Sequence, residues 1–188
     1  DLATLPANFG TAYQQVQFAT GGVKANFSIP PGSRQVELPM IQTGTVAGRI
    51  SVSVTNLRQG DAPITLPSTP VQTLDMPSAA PRITDLQASR TASGFELRVT
   101  GDSCIREVTE LLLTFRGPSG SNLQTTSLSI PASTEFGAYF AAATSSQYGG
   151  SYLLTVAFVV QGDQTAVNSA TVTMRSRAGS SAPASINF

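Results

Sequence analysis

Chemistry in this chain would have to come from very few side chains. There is no His and no Trp, and the single thiol is Cys104. That removes the usual groups for proton transfer near neutral pH, for zinc or copper ligation and for thiol catalysis. Lys24 is the sole lysine, so a lysine-activated nucleophile or an internal Lys–Asn isopeptide bond would rest on it alone. Its neighbours argue for a plainer role. Lys24, Asn26 and Ser28 alternate with Val23, Ala25, Phe27 and Ile29, which places Lys24 on the solvent side of a strand. Glu107 and Glu110 are the closest carboxylate pair, but in extended chain they point to opposite faces, and Asp102 with Glu107 is the nearest approach to a calcium cluster. No Ser-x-x-Lys or Gly-x-Ser-x-Gly arrangement is present. The expectation is a protein that is not an enzyme, with no catalytic, cofactor-binding or metal-binding residues and no cofactor. Cys104 reads as a small buried hydrophobe.

Aromatic side chains offer the other route to function. Tyr139, Phe140, Tyr148 and Tyr152 are the aromatic cluster along the sequence, and Tyr139, Tyr148 and Tyr152 form a candidate binding face for a glycan or a protein. The competing reading makes them core plugs or sandwich corners.

These residues must be positioned by strands. Of the 188 residues 12% are charged and 40% hydrophobic, with 16 Gly and 12 Pro spread along the chain. Short alternating runs, for example Ile50, Val52 and Val54 or Phe95, Leu97 and Val99, have the period of half-buried strands. Strands are expected over 14–20, 23–29, 34–40, 49–57, 63–66 and 71–76, then over 82–91 and 94–100. Residues 152–160, apolar on both faces, read as a central strand, and 170–174 as another. The one helical candidate is 136–143. Eleven basic residues balance eleven acidic ones, so no field gathers nucleic acid, and the apolar runs are too short to cross a bilayer as helices.

Two landmarks recur roughly 100 residues apart, the mark of an internal repeat. Ser28-Ile29-Pro30 matches Ser129-Ile130-Pro131. Gly48, a strand and Gln59-Gly60-Asp61 match Gly150, a strand and Gln161-Gly162-Asp163. The fold expected is all-β: two tandem immunoglobulin-like β-sandwich domains over 1–76 and 82–175, joined by a Pro-containing linker at 77–81. By the offset, the first lacks its N-terminal strands and leaves an apolar groove. A chain that starts at Asp1 without Met or an apolar leader reads as what remains after signal removal, proteolysis or recombinant design. The remainder, 176–188, is a tail or a donor segment in which Ile186 and Phe188 alternate with polar residues and form the candidate assembly segment.

The motifs Phe18-Ala19-Thr20-Gly21-Gly22, Phe27-Ser28-Ile29-Pro30, Gln42-Thr43-Gly44-Thr45-Val46-Ala47-Gly48 and Arg90-Thr91-Ala92-Ser93-Gly94 carry a resemblance. Across residues 16–174 the chain resembles bacterial secreted immunoglobulin-like or fibronectin-like tandem β-sandwich modules of cell-surface proteins, of the type in exported acidobacterial proteins. The resemblance implies an extracellular or cell-surface structural protein, a self-associating fibre or layer whose partners are copies of itself. The alternative it implies is an adhesion module that binds a surface glycan or protein.

Overall fold

Backbone pairing, more than hydrophobic pattern, separates the two halves of this chain. The computed structural model describes residues 2–5 and 15–188. The chain divides into two compact units, Asp1–Pro77 and Ser78–Phe188, with the break inside the Pro-containing stretch. Strands dominate both.

In the first unit β1 (Leu2–Leu5), β4 (Gly48–Ser53) and β7 (Val71–Met76) form an antiparallel sheet with β4 in the centre. Two short ladders accompany it: β2 (Gln17–Phe18) with β3 (Ile41–Gln42), and β5 (Arg58–Gln59) with β6 (Ala62–Pro63). Val16, Phe18, Val46 and Ile50 are its buried cluster, with Ala25, Ile41, Val52 and Met76 packed around them.

Two expected strands are missing, and of a third, 63–66, only Pro63 is in a strand. Residues 23–29 and 34–40 are in neither strand nor helix. Ala25 and Phe27 do turn inward and Asn26 and Ser28 outward, but Pro30, Pro31 and Pro39 have no N–H to give a ladder. Conversely, the sequence reading has no strand at β1, which covers one edge of β4.

The second unit holds two sheets face to face. β8 (Arg82–Thr91), β9 (Gly94–Asp102) and β12 (Ser151–Val159) run in the order β12-β9-β8. The other sheet has β11 (Ser127–Pro131), β10 (Glu110–Arg116) and β13 (Ser169–Ser176) in that order, and then β14 (Gly179–Ser180) and β15 (Ala184–Asn187), which both pair with β13. Inward positions of β9 (Phe95, Leu97, Val99) meet those of β10 (Leu111, Leu113, Phe115) and β13 (Ala170, Val172, Met174) in one core. This is the arrangement of a β-sandwich.

Helix α1 (Ser133–Ala141) begins three residues before the expected 136 and ends two before 143. It is followed by a 3-10 turn at Ala143–Tyr148. Phe136 and Phe140, four residues apart, share the buried face of α1, so the helix closes the core between β11 and β12.

The repeat does not extend to topology. Gly60 takes φ 60° in a β5–β6 hairpin, whereas Gly162 takes φ 97° before a 3-10 turn at Gln164–Ala166. β4 pairs with β7, but its sequence counterpart β12 lies in a different sheet from β13. Ser129-Ile130-Pro131 is in β11, and Ser28-Ile29-Pro30 is in no strand. Strand β12 itself is an edge strand with one exposed face, not the central strand that its apolar content suggests.

Candidate assembly edge

Strand β12 begins at a loop that one buried guanidinium organises. Arg106 adopts a positive φ of 53°, and its side chain is buried under α1. Nη1 donates to the Gly149 carbonyl at 2.9 Å; Nη2 donates to the Ser145 hydroxyl at 2.9 Å and to the Phe140 carbonyl. The guanidinium carbon lies 5.1 Å from the Phe140 ring centre. A guanidinium is the one side chain able to serve this many acceptors from a fixed plane. Nothing in the spacing around Arg106 marks it for this role, because its partners lie 34 to 43 residues away.

From Gly150 onward β12 runs along β9 and along no other described strand. The Ser103 N–H donates to the Gly150 carbonyl at 2.8 Å, and the Val160 N–H to the Ser93 carbonyl at 2.9 Å. Hydrogen-bonded pairs alternate in an antiparallel ladder, so the even-numbered residues of β12 face β9. The odd-numbered ones, Leu153, Thr155, Ala157 and Val159, turn their N–H and C=O groups to the open edge. Ser151, also odd, accepts from the Tyr139 hydroxyl at 2.9 Å on that side.

The same odd residues carry the exposed side chains. Leu153 is 56% and Val159 77% exposed, and no residue of β12 is charged. The other edges of the second unit are defended differently. β8 carries Arg82, Asp85 and Arg90, β11 is five residues long and ends in Pro131, and β15 has four residues. A long, neutral edge with apolar side chains is the kind that accepts another strand.

Ile186 and Phe188 are elsewhere. Residues 176–188 are not a separate tail: β14 and β15 extend the sheet of the second unit, with Ile186 opposite Ala170. The Phe188 ring lies 4.7 Å from Phe95 and 5.2 Å from the Arg90 guanidinium. Arg90 in turn donates to Val167 O at 2.6 Å and to Gln164 O. Half-buried apolar side chains on a hydrogen-bonded strand are committed to their own unit, which corrects their reading as a segment held for another subunit.

The tyrosines do not share a face. Tyr152 is 4% exposed, its hydroxyl 2.6 Å from Met174 Sδ, and burial pushes its pKa up. Tyr139 is half-buried and its pKa is also raised by burial, while Tyr148 is 55% exposed. Tyr152 is a core plug. The aromatic assembly that does form joins Phe95, Phe115, Phe158 and Phe188, with adjacent centroids 4.7–5.7 Å apart. Three come from separate strands, β9, β10 and β12, and Phe188 follows β15, so their order along the chain hides them. Phe95, Phe115 and Phe158 line the base of a cleft of about 940 Å³, under the 117–125 and 159–167 loops.

The remaining chemistry-bearing residues are tied into structure. Glu107 pairs with Arg177 and Asp102 with Arg82. Glu110 accepts from Ser129 and pairs with Arg175 at 3.0 Å, which hold its carboxyl below its usual pKa. Cys104 is half-buried, not fully so: the Ala79 N–H donates to its sulfur at 3.1 Å, fastening the 78–81 segment to the second unit. Lys24 is exposed, and among the described residues no group of three His, Cys, Asp or Glu is close enough to hold a metal. No described helix is long and apolar enough to span a membrane. No protein-family model matches the chain, and no curated protein matches it in sequence.

Proposed function

We propose that this chain is a non-enzymatic structural protein of the cell exterior whose copies associate through an open sheet edge. The observation that carries this reading is β12: nine residues, no charge, one backbone edge without a partner strand among the described residues, and Leu153 and Val159 exposed on it. A balanced net charge adds no long-range repulsion between copies. The strand order of the second unit supports an immunoglobulin-like or fibronectin-like assignment for that unit. Its first, second and fifth long strands share one sheet, while its third and sixth lie side by side in the other, as C and F do in immunoglobulin domains. For the first unit, one three-stranded sheet and two short ladders support only the coarser description of an all-β unit.

The test compares the wild-type chain with the double variant Thr155→Lys/Val159→Lys by light-scattering mass and negative-stain electron microscopy. Both side chains are exposed, and charge on an edge strand blocks strand addition. The wild type is expected to associate in a concentration-dependent way, and the variant to remain at 19.5 kDa. A wild-type monomer at all concentrations overturns the reading. The second reading, an adhesion module for a surface glycan or protein, rests on the cleft of about 940 Å³, whose rim carries Asn122, Gln124 and Gln161. Glycan-array binding by the charged-edge variant would favour it.

A further inference from the structure

The open edge of β12 has a property beyond its exposure: it is complementary to itself. We infer that the partner strand is β12 of a second copy, paired antiparallel about a two-fold axis through Thr155. This rests on the self-association reading above and specifies its contact.

The backbone sets which registers exist. Only the odd-numbered residues of β12 present N–H and C=O to the open side, as the Gly150 and Val160 bonds to β9 require. Two such edges can meet only with odd residues opposite odd. Among those registers, the one that overlaps all of Ser151–Val159 places Thr155 opposite Thr155, Leu153 opposite Ala157 and Ser151 opposite Val159. The three central pairs exchange about six main-chain hydrogen bonds. At the ends Ser151 already accepts from Tyr139, and its carbonyl has a second lone pair for the Val159 N–H of the other copy.

Side chains agree with that register. On the exposed face each large residue meets a small one, Leu153 against Ala157 and Val159 against Ser151. Sliding by two residues instead brings Leu153 against Thr155 or against Val159, sliding by four brings Leu153 against Leu153 or Ala157 against Ala157, and every slide shortens the overlap. No charge lies on either strand, so like meets like without repulsion. Charges on the neighbouring strand, Glu96 and Arg98, stand opposite Ala157 and Thr155 on β9 and remain one strand away from the junction.

The result is a continuous six-stranded sheet, β8-β9-β12 followed by its two-fold mate. An isologous contact of this kind closes at two copies, so any fibre would need a different second contact. A single pair of edge strands is small beside the ~1,600 Å² of a standard interface, so the dimer is expected to form reversibly with concentration.

The test uses residues that can meet only across the axis. Leu153 and Ala157 are four apart on one strand, about 13 Å, too far to pair within one chain. Leu153→Glu alone places a carboxylate against the apolar Ala157 of the other copy, with Glu96 one strand beyond, and Ala157→Lys alone puts an ammonium against Leu153. Each single variant is expected to weaken dimerisation at least about tenfold by analytical ultracentrifugation. The double variant Leu153→Glu/Ala157→Lys restores it, because the introduced carboxylate and ammonium then face each other twice across the axis. As a second measurement, Thr155→Cys in a Cys104→Ser background is expected to give a covalent dimer on mild oxidation. Paired residues of this kind have Cα atoms about 5.5 Å apart, within disulfide reach.

Circular dichroism matching the wild type establishes that the variants fold. If both single variants dissociate and the double variant fails to recover, or if Thr155→Cys does not cross-link an associated chain, the two-fold register is overturned and self-association through the edge stands. If the single variants associate like the wild type, the contact is elsewhere and the inference fails. A wild-type chain that is monomeric throughout overturns both readings together.

Discussion

The two units use the same alternation of apolar and polar residues and obtain different amounts of core from it. Fifteen buried apolar residues pack between the sheets of Ser78–Phe188, and four form the described cluster of Asp1–Pro77. The difference lies in backbone partners. β9 and β10 each have strands on both sides, so their inward residues are covered by the opposite sheet and their N–H and C=O groups are bonded along most of their length. In the first unit, prolines at 30, 31 and 39 interrupt the segments that carry the best alternation. Val23, Ile29, Leu38 and Met40 remain exposed there. Alternation supplies a face to bury, but only a ladder holds that face against another sheet.

The largest test of this contrast is one truncation in each cluster. Leu97, fully buried in β9, is expected to cost about 2–5 kcal/mol as Leu97→Ala. Ile50→Ala removes one of only four residues in the smaller cluster and should unfold the first unit at lower urea while leaving the transition of the second in place. Urea titration followed by two-dimensional NMR resolves the units. A single shared transition for both variants would show that the two units fold as one and would break the comparison.

A smaller effect is expected at Phe188. Phe188→Ala removes a half-buried ring from Phe95 and from the Arg90 guanidinium, and should lower the stability of the second unit by about 2 kcal/mol. Self-association at matched concentration of folded protein should be unchanged, because this residue is on a different sheet from β12. An intact fold with lost association would reinstate the C-terminal segment as the assembly element.

The third test is alkaline pH. Burial raises the Tyr152 hydroxyl above its ordinary pKa of 10.0. Above pH ~10 the unfolded chain gives up this proton and the folded chain keeps it, so the folded state binds more protons and stability falls as pH rises. The contribution is complete below pH ~10 and is lost above it, at up to about 1.4 kcal/mol per pH unit. Tyr152→Phe is expected to flatten that decline in urea titrations at pH 9, 10 and 11. A parallel decline in both proteins would mean that Tyr152 is not the group responsible.

How much of this was legible along the chain depends on the range of the interaction. The β8–β9 hairpin could be read residue by residue at 82–91 and 94–100, because period-two alternation and a two-residue connection at Ala92 and Ser93 are local signals. The reading of β12 as central failed because apolar residues on both faces describe a strand covered on both sides or one exposed at an edge, and only its neighbours tell which. The tyrosine face failed for a related reason. Tyr139, Tyr148 and Tyr152 are close in sequence, but α1 and the 3-10 turn send them to different environments.

The sequence by itself determined composition and period: an almost chemistry-free, low-charge chain made of short alternating segments broken by Gly and Pro. From these follow the all-β class and a break near Pro77, since side-chain polarity and turn residues act over a few positions. Tertiary structure decided everything that depends on which strands become neighbours. It closed β14 and β15 onto β13, it gathered four phenylalanines from distant parts of the chain, and it used Arg106 to fasten the loop before β12. It also left β12 with one side open among the described residues, because the edge of a sheet is a fact about pairing, and pairing joins residues far apart in the chain.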